Sequence, residues 1–180
     1  YICDTFAAMQ EDQQINNHFK KKENRSIVKI ELVGETAKSR SPEIELERHR
    51  ALSDLMHKNK FTLKTDNTDQ SYHMYLKLIG DTLALQVNTT DEYPIETISI
   101  NLRSYKRIVK DYFMICESFY KFARSGMTAK VEAIDMARRG IHNEGAEKLQ
   151  RSLKKYAECD FDTARQLFTL ICILHIRITV

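Results

Sequence analysis

The sequence predicts an α+β fold: an antiparallel four-stranded sheet, in the order strand, helix, three strands, packed on one face by a C-terminal three-helix cluster. Three observations predict it. Apolar and polar residues alternate in short stretches between Ile27 and Leu102; from Arg103 the apolar period lengthens to that of a helix; and glycines and capping residues stand where one pattern gives way to the next.

Residues 1–25 end in Lys20, Lys21, Lys22, Glu23, Asn24 and Arg25 and carry few apolar groups, too few to offset the entropy lost on ordering. A flexible N-terminal arm is expected there, dispensable for folding and with no structural role for residues 1–8, and a single domain over 26–180. Ile27 to Val33 alternates, with Val28, Ile30 and Leu32 on one side and Lys29 and Glu31 on the other, the pattern of a half-buried strand. A helix over about 42–58 follows, with Ser41 as N-cap, Pro42 at the first helical position, and Glu43, Glu45 and Glu47 favouring the positive end of the helix dipole. Next comes an antiparallel meander: Met74, Leu76 and Leu78, then Leu83, Leu85 and Val87, then Ile98, Ile100 and Leu102 face one way, with Gly80 and Asp81 at a tight turn. Its other face, with His73, Tyr75, Lys77, Gln86, Asn88, Thr97, Ser99 and Asn101, reads as solvated rather than as a partner surface.

Ile108, Val109, Tyr112, Phe113, Cys116, Phe119, Tyr120 and Ala123 then form a helical stripe that Gly126 ends. Thr128 caps a second helix, interrupted by Gly140 and Gly145, and Asp160 or Asp162 caps a third whose body, Leu167 to Leu174, is apolar nearly all round.

Composition sets bounds on function. With 180 residues, 42% hydrophobic and 29% charged, the chain can bury the core of one domain. A net charge of +3 is too mild for bulk attraction to nucleic acid. Cys3, Cys116, Cys159 and Cys172 are scattered with no CxxC pair, which speaks against a zinc knuckle or thiol redox motif; Cys116 and Cys172 read as core residues in a reducing cytoplasm. The longest apolar run, Leu167 to Leu174, is far short of the ~20 residues that cross a bilayer, and no basic stretch leads into an apolar one as in a secretory signal.

Two constellations could carry chemistry. Arg103, Lys106, Arg107 and Lys110 crowd the first turns of a helix, where cations oppose the dipole and repel one another by ~0.3–0.5 kcal/mol per pair. The first expectation is internal pairing with Glu43, Glu45 or Glu47; the second is a phosphate or carboxylate from outside. The other constellation is Asp135, Arg138 and His142. At about 100° per residue these three fall within roughly 40° of Leu149 around the helix, on the apolar side with Ile134 and Ile141, and charge on such a stripe must be paired or used. They could form a structural network, the reading ranked first. As a site, Asp135 could orient His142 as a general base while Arg138 or Arg139 neutralises an anionic substrate. If Gly140 ended the helix, His142 would instead sit in a connector with Asn143 capping the next helix. Glu132, Asp135, His142 and Glu144 are metal-ligand types, but no HExxH or paired Glu-x-x-His spacing is present, and no metal is expected.

The Arg138 and His142 pair is similar to that of the helical nucleotide-binding ribonucleases of toxin pairs, but its spacing is shorter than theirs and the preceding strands are foreign to that fold. Walker, Rossmann and GxSxG motifs are absent, which removes support for nucleotide hydrolysis, hydride transfer and the common serine hydrolase plan.

Three longer stretches occur in order: Arg107 through Cys116; Glu132 to Met136 running on through Arg138 to Gly145; and Asp160 to Arg165 followed by Leu167 to Cys172. Together they resemble the signature stretches of the alphaproteobacterial uncharacterised protein family 0262, over about residues 27–176. The resemblance implies a bacterial cytoplasmic protein and carries no activity or catalytic residues; the arm before residue 26 and the ending Arg177 to Val180 depart from its pattern.

The function expected is a non-enzymatic binding or regulatory module for an anionic ligand or macromolecular partner, a small anion or RNA, with no membrane and no cofactor. Its ligand-binding candidates are Arg103, Arg107, Lys110, Arg139, Asn143 and Glu144. The alternative is a small hydrolase or nuclease that cleaves a phosphate ester through Asp135, Arg138 and His142.

Overall fold

The structure, a computed structural model, describes residues 25–34, 42–126 and 128–175, apart from the side chain of Glu43. Residues 1–24 of the arm expected over 1–25, the Ser41 cap and the ending 176–180 lie outside the described residues. The packed domain reaches back to Arg25, which is buried and donates from Nη1 to the Asp66 carbonyl at 3.0 Å.

In chain order the elements are β1 (Ile27–Val33), α1 (Pro42–His57), β2 (Phe61–Leu63), β3 (Tyr72–Ile79), β4 (Thr82–Thr89), β5 (Pro94–Asn101), a 3₁₀ turn (Leu102–Tyr105), α2 (Lys106–Arg124), α3 (Thr128–Leu153), β6 (Ala157–Cys159) and α4 (Phe161–His175). The fold is α+β, but the main sheet is mixed. Its order is β1-β3-β4-β5, and β1 runs parallel to β3 while the other pairs are antiparallel. The connections explain this: tight turns reverse the chain between β3, β4 and β5, whereas α1 carries it from β1 back to the same end of the sheet before β3 begins. The helical layer also differs from expectation. Among the described residues it holds four helices, because α1 packs against α4 alongside the C-terminal three. A further two-stranded sheet pairs β2 with β6 antiparallel, Thr62 opposite Glu158.

The alternation in β3, β4 and β5 appears as read except at two places: Asn88, expected on the solvated face, is buried where the β4–β5 register shifts after Val87, and Leu102 lies in the 3₁₀ turn beyond β5. Met74 lies opposite Val87 and Leu85 opposite Ile98, and these side chains are fully enclosed. Gly80 supplies a positive φ of 58° in the β3–β4 turn. In β1 the register shifts between Ile27 and Lys29, so Val28, expected inside with Ile30 and Leu32, is 49% exposed and Ile27 is buried instead. Arg103 belongs to the 3₁₀ turn, whose N-cap Asn101 accepts from the Arg103 N–H at 2.9 Å.

Two glycines in α3 do not interrupt it. The helix runs unbroken through Gly140 and Gly145, so Gly140 is no terminus and Asn143 caps nothing. Gly145 has a packing reason: a Cβ there would overlap the ring of Phe168 on α4. Asp160 starts α4 as expected, its Oδ1 accepting from the Thr163 N–H at 2.8 Å. From Leu167 to Leu174 this helix is buried throughout and forms the centre of one core with the inner faces of the strands.

Candidate functional site

Helical spacing places Asp135, Arg138 and Arg139 on neighbouring turns of α3, and the three side chains meet. Asp135 Oδ1 accepts from Arg138 Nη2 at 2.9 Å and Nε at 3.2 Å, and its Oδ2 accepts from Arg139 Nε at 2.8 Å. The Arg138 bond above all holds the Asp135 carboxyl below its ordinary pKa. Arg138 also reaches across to α1, its Nη1 lying 3.7 Å from Glu47 Oε2, and stacks its guanidinium over the Phe119 ring at 5.2 Å.

Glu47 is 8% exposed, and its carboxylate accepts from Tyr120 OH at 2.7 Å and Tyr112 OH at 3.2 Å. A charge so enclosed needs such donors. Glu47 therefore ties α1 to α2 and α3. It is not the partner of the basic quartet at the start of α2.

Three of that quartet are matched elsewhere. Asp81, in the β3–β4 turn, pairs with Arg103 Nε at 2.9 Å and Lys106 Nζ at 3.2 Å. Arg107 lies 3.8 Å from Asp111, and Lys110 has no ion pair among the described residues. Glu45 pairs with Arg48 on its own helix. The expected pairing with Glu45 or Glu47 is thus corrected; the β3–β4 turn comes closer to the start of α2 than α1 does. The Glu43 side chain lies outside the described residues.

His142 stands apart from Asp135. It is 6% exposed, stacked on Tyr112 with ring centroids 4.9 Å apart, and edge-on to Phe168 at 6.5 Å. Neither ring nitrogen forms a hydrogen bond among the described residues, and Nε2 is fully enclosed. Burial, then the charges of Arg165 and Arg138, push its pKa down to about 3. Asp135 does not orient this imidazole: no hydrogen bond joins the two side chains among the described residues.

His142 lines a cleft of about 230 Å³ between three helices, with Glu47, Arg50 and Asp54 from α1, Arg138 from α3, and Arg165, Gln166 and Thr169 from α4. Arg165 forms no side-chain hydrogen bond or ion pair among the described residues, and its Nε is enclosed without a partner. Two enclosed nitrogens without partners thus belong to one cleft, and one of them is part of a permanent cation. A larger depression of about 690 Å³ against β2 and β6 is lined by Arg25, Lys60 and Lys64 but also by Asp66, Glu158 and Asp160. Its buried arginine, Arg25, keeps two nitrogens bonded, to the Asp66 carbonyl and Asp69, even though its Nε is free. The smaller cleft carries the stronger unmet demand.

The sequence candidates therefore divide. Arg138 and His142 line the cleft, with Asp135 behind Arg138. Arg103, Arg107, Lys110, Arg139, Asn143 and Glu144 are exposed and do not line it. Arg165 was missed by sequence reasoning, although one signal was present: a lone arginine beside Leu167 and Phe168 on the most apolar helix raises the same question as Arg138.

The family model of an uncharacterised protein family, UPF0262, matches residues 24–177. The chain belongs to the uncharacterised family UPF0262. Among the relatives of this UPF0262 chain, one from Paramagnetospirillum magneticum is 44% identical over 153 residues, covering 85% of this chain and 97% of that protein. One from Brucella canis is 43% identical over 154 residues, covering 86% and 96%. A third, from a Chelativorans species, is 44% identical over 151 residues, covering 84% and 93%. All three are bacterial UPF0262 proteins. No solved structure matches. Among the described residues no helix is long and apolar enough to cross a membrane, and no group of three or more His, Cys, Asp or Glu side chains is placed to hold a metal ion.

Proposed function

We propose that this UPF0262 protein is a binding module that takes a small anion in the cleft between α1, α3 and α4. The carrying observation is that Arg165 and His142, unmatched by any hydrogen bond among the described residues, line one cavity. An anion there would give Arg165 the counter-charge it lacks and accept the N–H of His142. It would also weaken the field of the two arginines, which adds to burial in keeping the imidazole neutral. The cleft's volume suits a small molecule rather than a macromolecular surface. Binding rather than hydrolysis is favoured because His142 has no carboxylate to orient it and too low a pKa to serve as an efficient base near neutrality.

Calorimetry at low ionic strength with acetate, sulfate and inorganic phosphate tests this. The wild type is expected to bind at least one of them, and Arg165→Met, which keeps the length of the apolar stem, to lose at least tenfold in affinity, about 1.4 kcal/mol. Equal binding by Arg165→Met, or no binding of any anion by the wild type, would overturn the reading.

A further inference from the structure

The cleft has two unlike walls. On the α3 and α4 side stand Arg138, His142 and Arg165; on the α1 side stand Glu47 and Asp54, seven residues apart and so on one face of that helix. Their charges are not all spoken for. Glu47 lies 3.7 Å from Arg138 Nη1 and 3.8 Å from Arg50 Nη1, and both its oxygens already accept tyrosine hydroxyls. Asp54 has no ion pair among the described residues, and its side chain accepts a single bond, at 3.2 Å from Gln166 Nε2.

Two opposite charges therefore remain in one cavity, Asp54 and Arg165, and they do not pair with each other. Gln166, the neighbour of Arg165 on α4, bridges to Asp54 instead. A bare anion bound to Arg165 would share the cleft with the Asp54 carboxylate, which has no counter-ion among the described residues and would repel it. A ligand carrying both signs would satisfy both walls.

We propose that the cleft recognises a small zwitterion, its acid group held by Arg165 and His142 and its ammonium group by Asp54. This rests on the anion reading above and adds the second anchor. The acid could be a carboxylate or a phosphate ester, since Arg165 serves either.

The experiment compares matched pairs by calorimetry on the whole chain: glycine with acetate, β-alanine with propionate, 4-aminobutyrate with butyrate, and 2-aminoethyl phosphate with ethyl phosphate. In at least one pair the amine-bearing acid is expected to bind about tenfold more tightly than its partner. In Asp54→Asn that advantage is expected to vanish while the amine-free acid binds as tightly as before, or more tightly. Asp54 is exposed, so this variant is expected to fold as the wild type does. If the amine-free acids bind the wild type as well as the amines do, or if the advantage survives Asp54→Asn, the zwitterion proposal falls and the anion reading stands. If neither kind of acid binds, the zwitterion proposal falls, and the anion reading falls with it if sulfate and inorganic phosphate also fail to bind. Whichever pair shows the advantage identifies the acid group.

Discussion

Replacing His142 with phenylalanine should remove a specific part of the protein's acid sensitivity. The imidazole is 6% exposed and stacked on Tyr112, and its pKa is pushed down to about 3 from the ordinary value near 6.5. Arg165 and Arg138 push in the same direction as burial, and Asp135 opposes them. Between those two pH values the unfolded chain binds a proton at this position and the folded chain does not. Stability from the neutral imidazole is therefore fully present above the unfolded value and is lost as pH falls toward the folded one, by about 1.4 kcal/mol per pH unit. At about pH 4.5 the wild type should have lost ~3 kcal/mol relative to His142→Phe, whose ring fills the same stack and carries no titrating group. Every other group, including the buried His175, is common to both proteins and cancels in the difference. Urea unfolding of both proteins in one mixed buffer, from about pH 7.5 down to 4.5, reads this difference directly. Curves that stay parallel would refute the reasoning, because they would mean that His142 takes up its proton within the fold.

Three further outcomes are expected. Gly145→Ala should cost ~1–3 kcal/mol, since its Cβ would overlap Phe168, whereas Gly140→Ala on the same helix has open space around it and should gain up to ~1 kcal/mol; urea midpoints compare the two. Arg138→Met should cost about 3 kcal/mol or more by leaving Glu47 and Asp135 without their shared cation, and Arg138→Lys should recover only part, because an ammonium cannot span both carboxylates as a guanidinium does. Asp81→Asn should lower the melting temperature slightly by freeing Arg103 and Lys106 to repel each other, and the difference should shrink at high salt.

Much of the fold was legible because it rests on local periodicity. The alternation of β3, β4 and β5, the stripe of α2 and the Asp160 cap are all properties of neighbouring residues. What failed to show depends on partners distant in sequence. The pattern of β1 marks a strand but says nothing of β3 lying parallel beside it, and it does not reveal the shift that turns Val28 outward. Phe61–Leu63 and Ala157–Cys159 are too short for any period to register, yet they pair across most of the chain. The site divides in the same way. Asp135 and Arg138 could be joined on paper because they share one helix. The bonds of Glu47 to Tyr112 and Tyr120, the stack of His142 on Tyr112 and the approach of Arg165 to His142 each require two helices to meet, and helical periodicity is silent about that.

The two half-buried arginines of the helical layer offer a final discrimination between structure and site. Arg138 donates to Asp135 and lies within ion-pair distance of Glu47, the arrangement of a structural cation. Arg165 has an enclosed Nε with no acceptor and no counter-ion among the described residues, an arrangement that costs the unliganded protein about 1–3 kcal/mol in lost solvation. Arg165→Met should therefore raise the stability of the empty protein by roughly 1 kcal/mol or more while it weakens anion binding, the opposite of the loss expected for Arg138→Met. It should also remove the charge that most opposes protonation of His142, so that the acid loss of stability worked out above still begins near the unfolded pKa, ends at a higher pH and is smaller in total. Thermal and urea unfolding without added anion, followed by the same measurement in phosphate, separates the outcomes. A fall in stability on removing Arg165 would make it one more structural cation and take away the reason for calling the cleft a binding site.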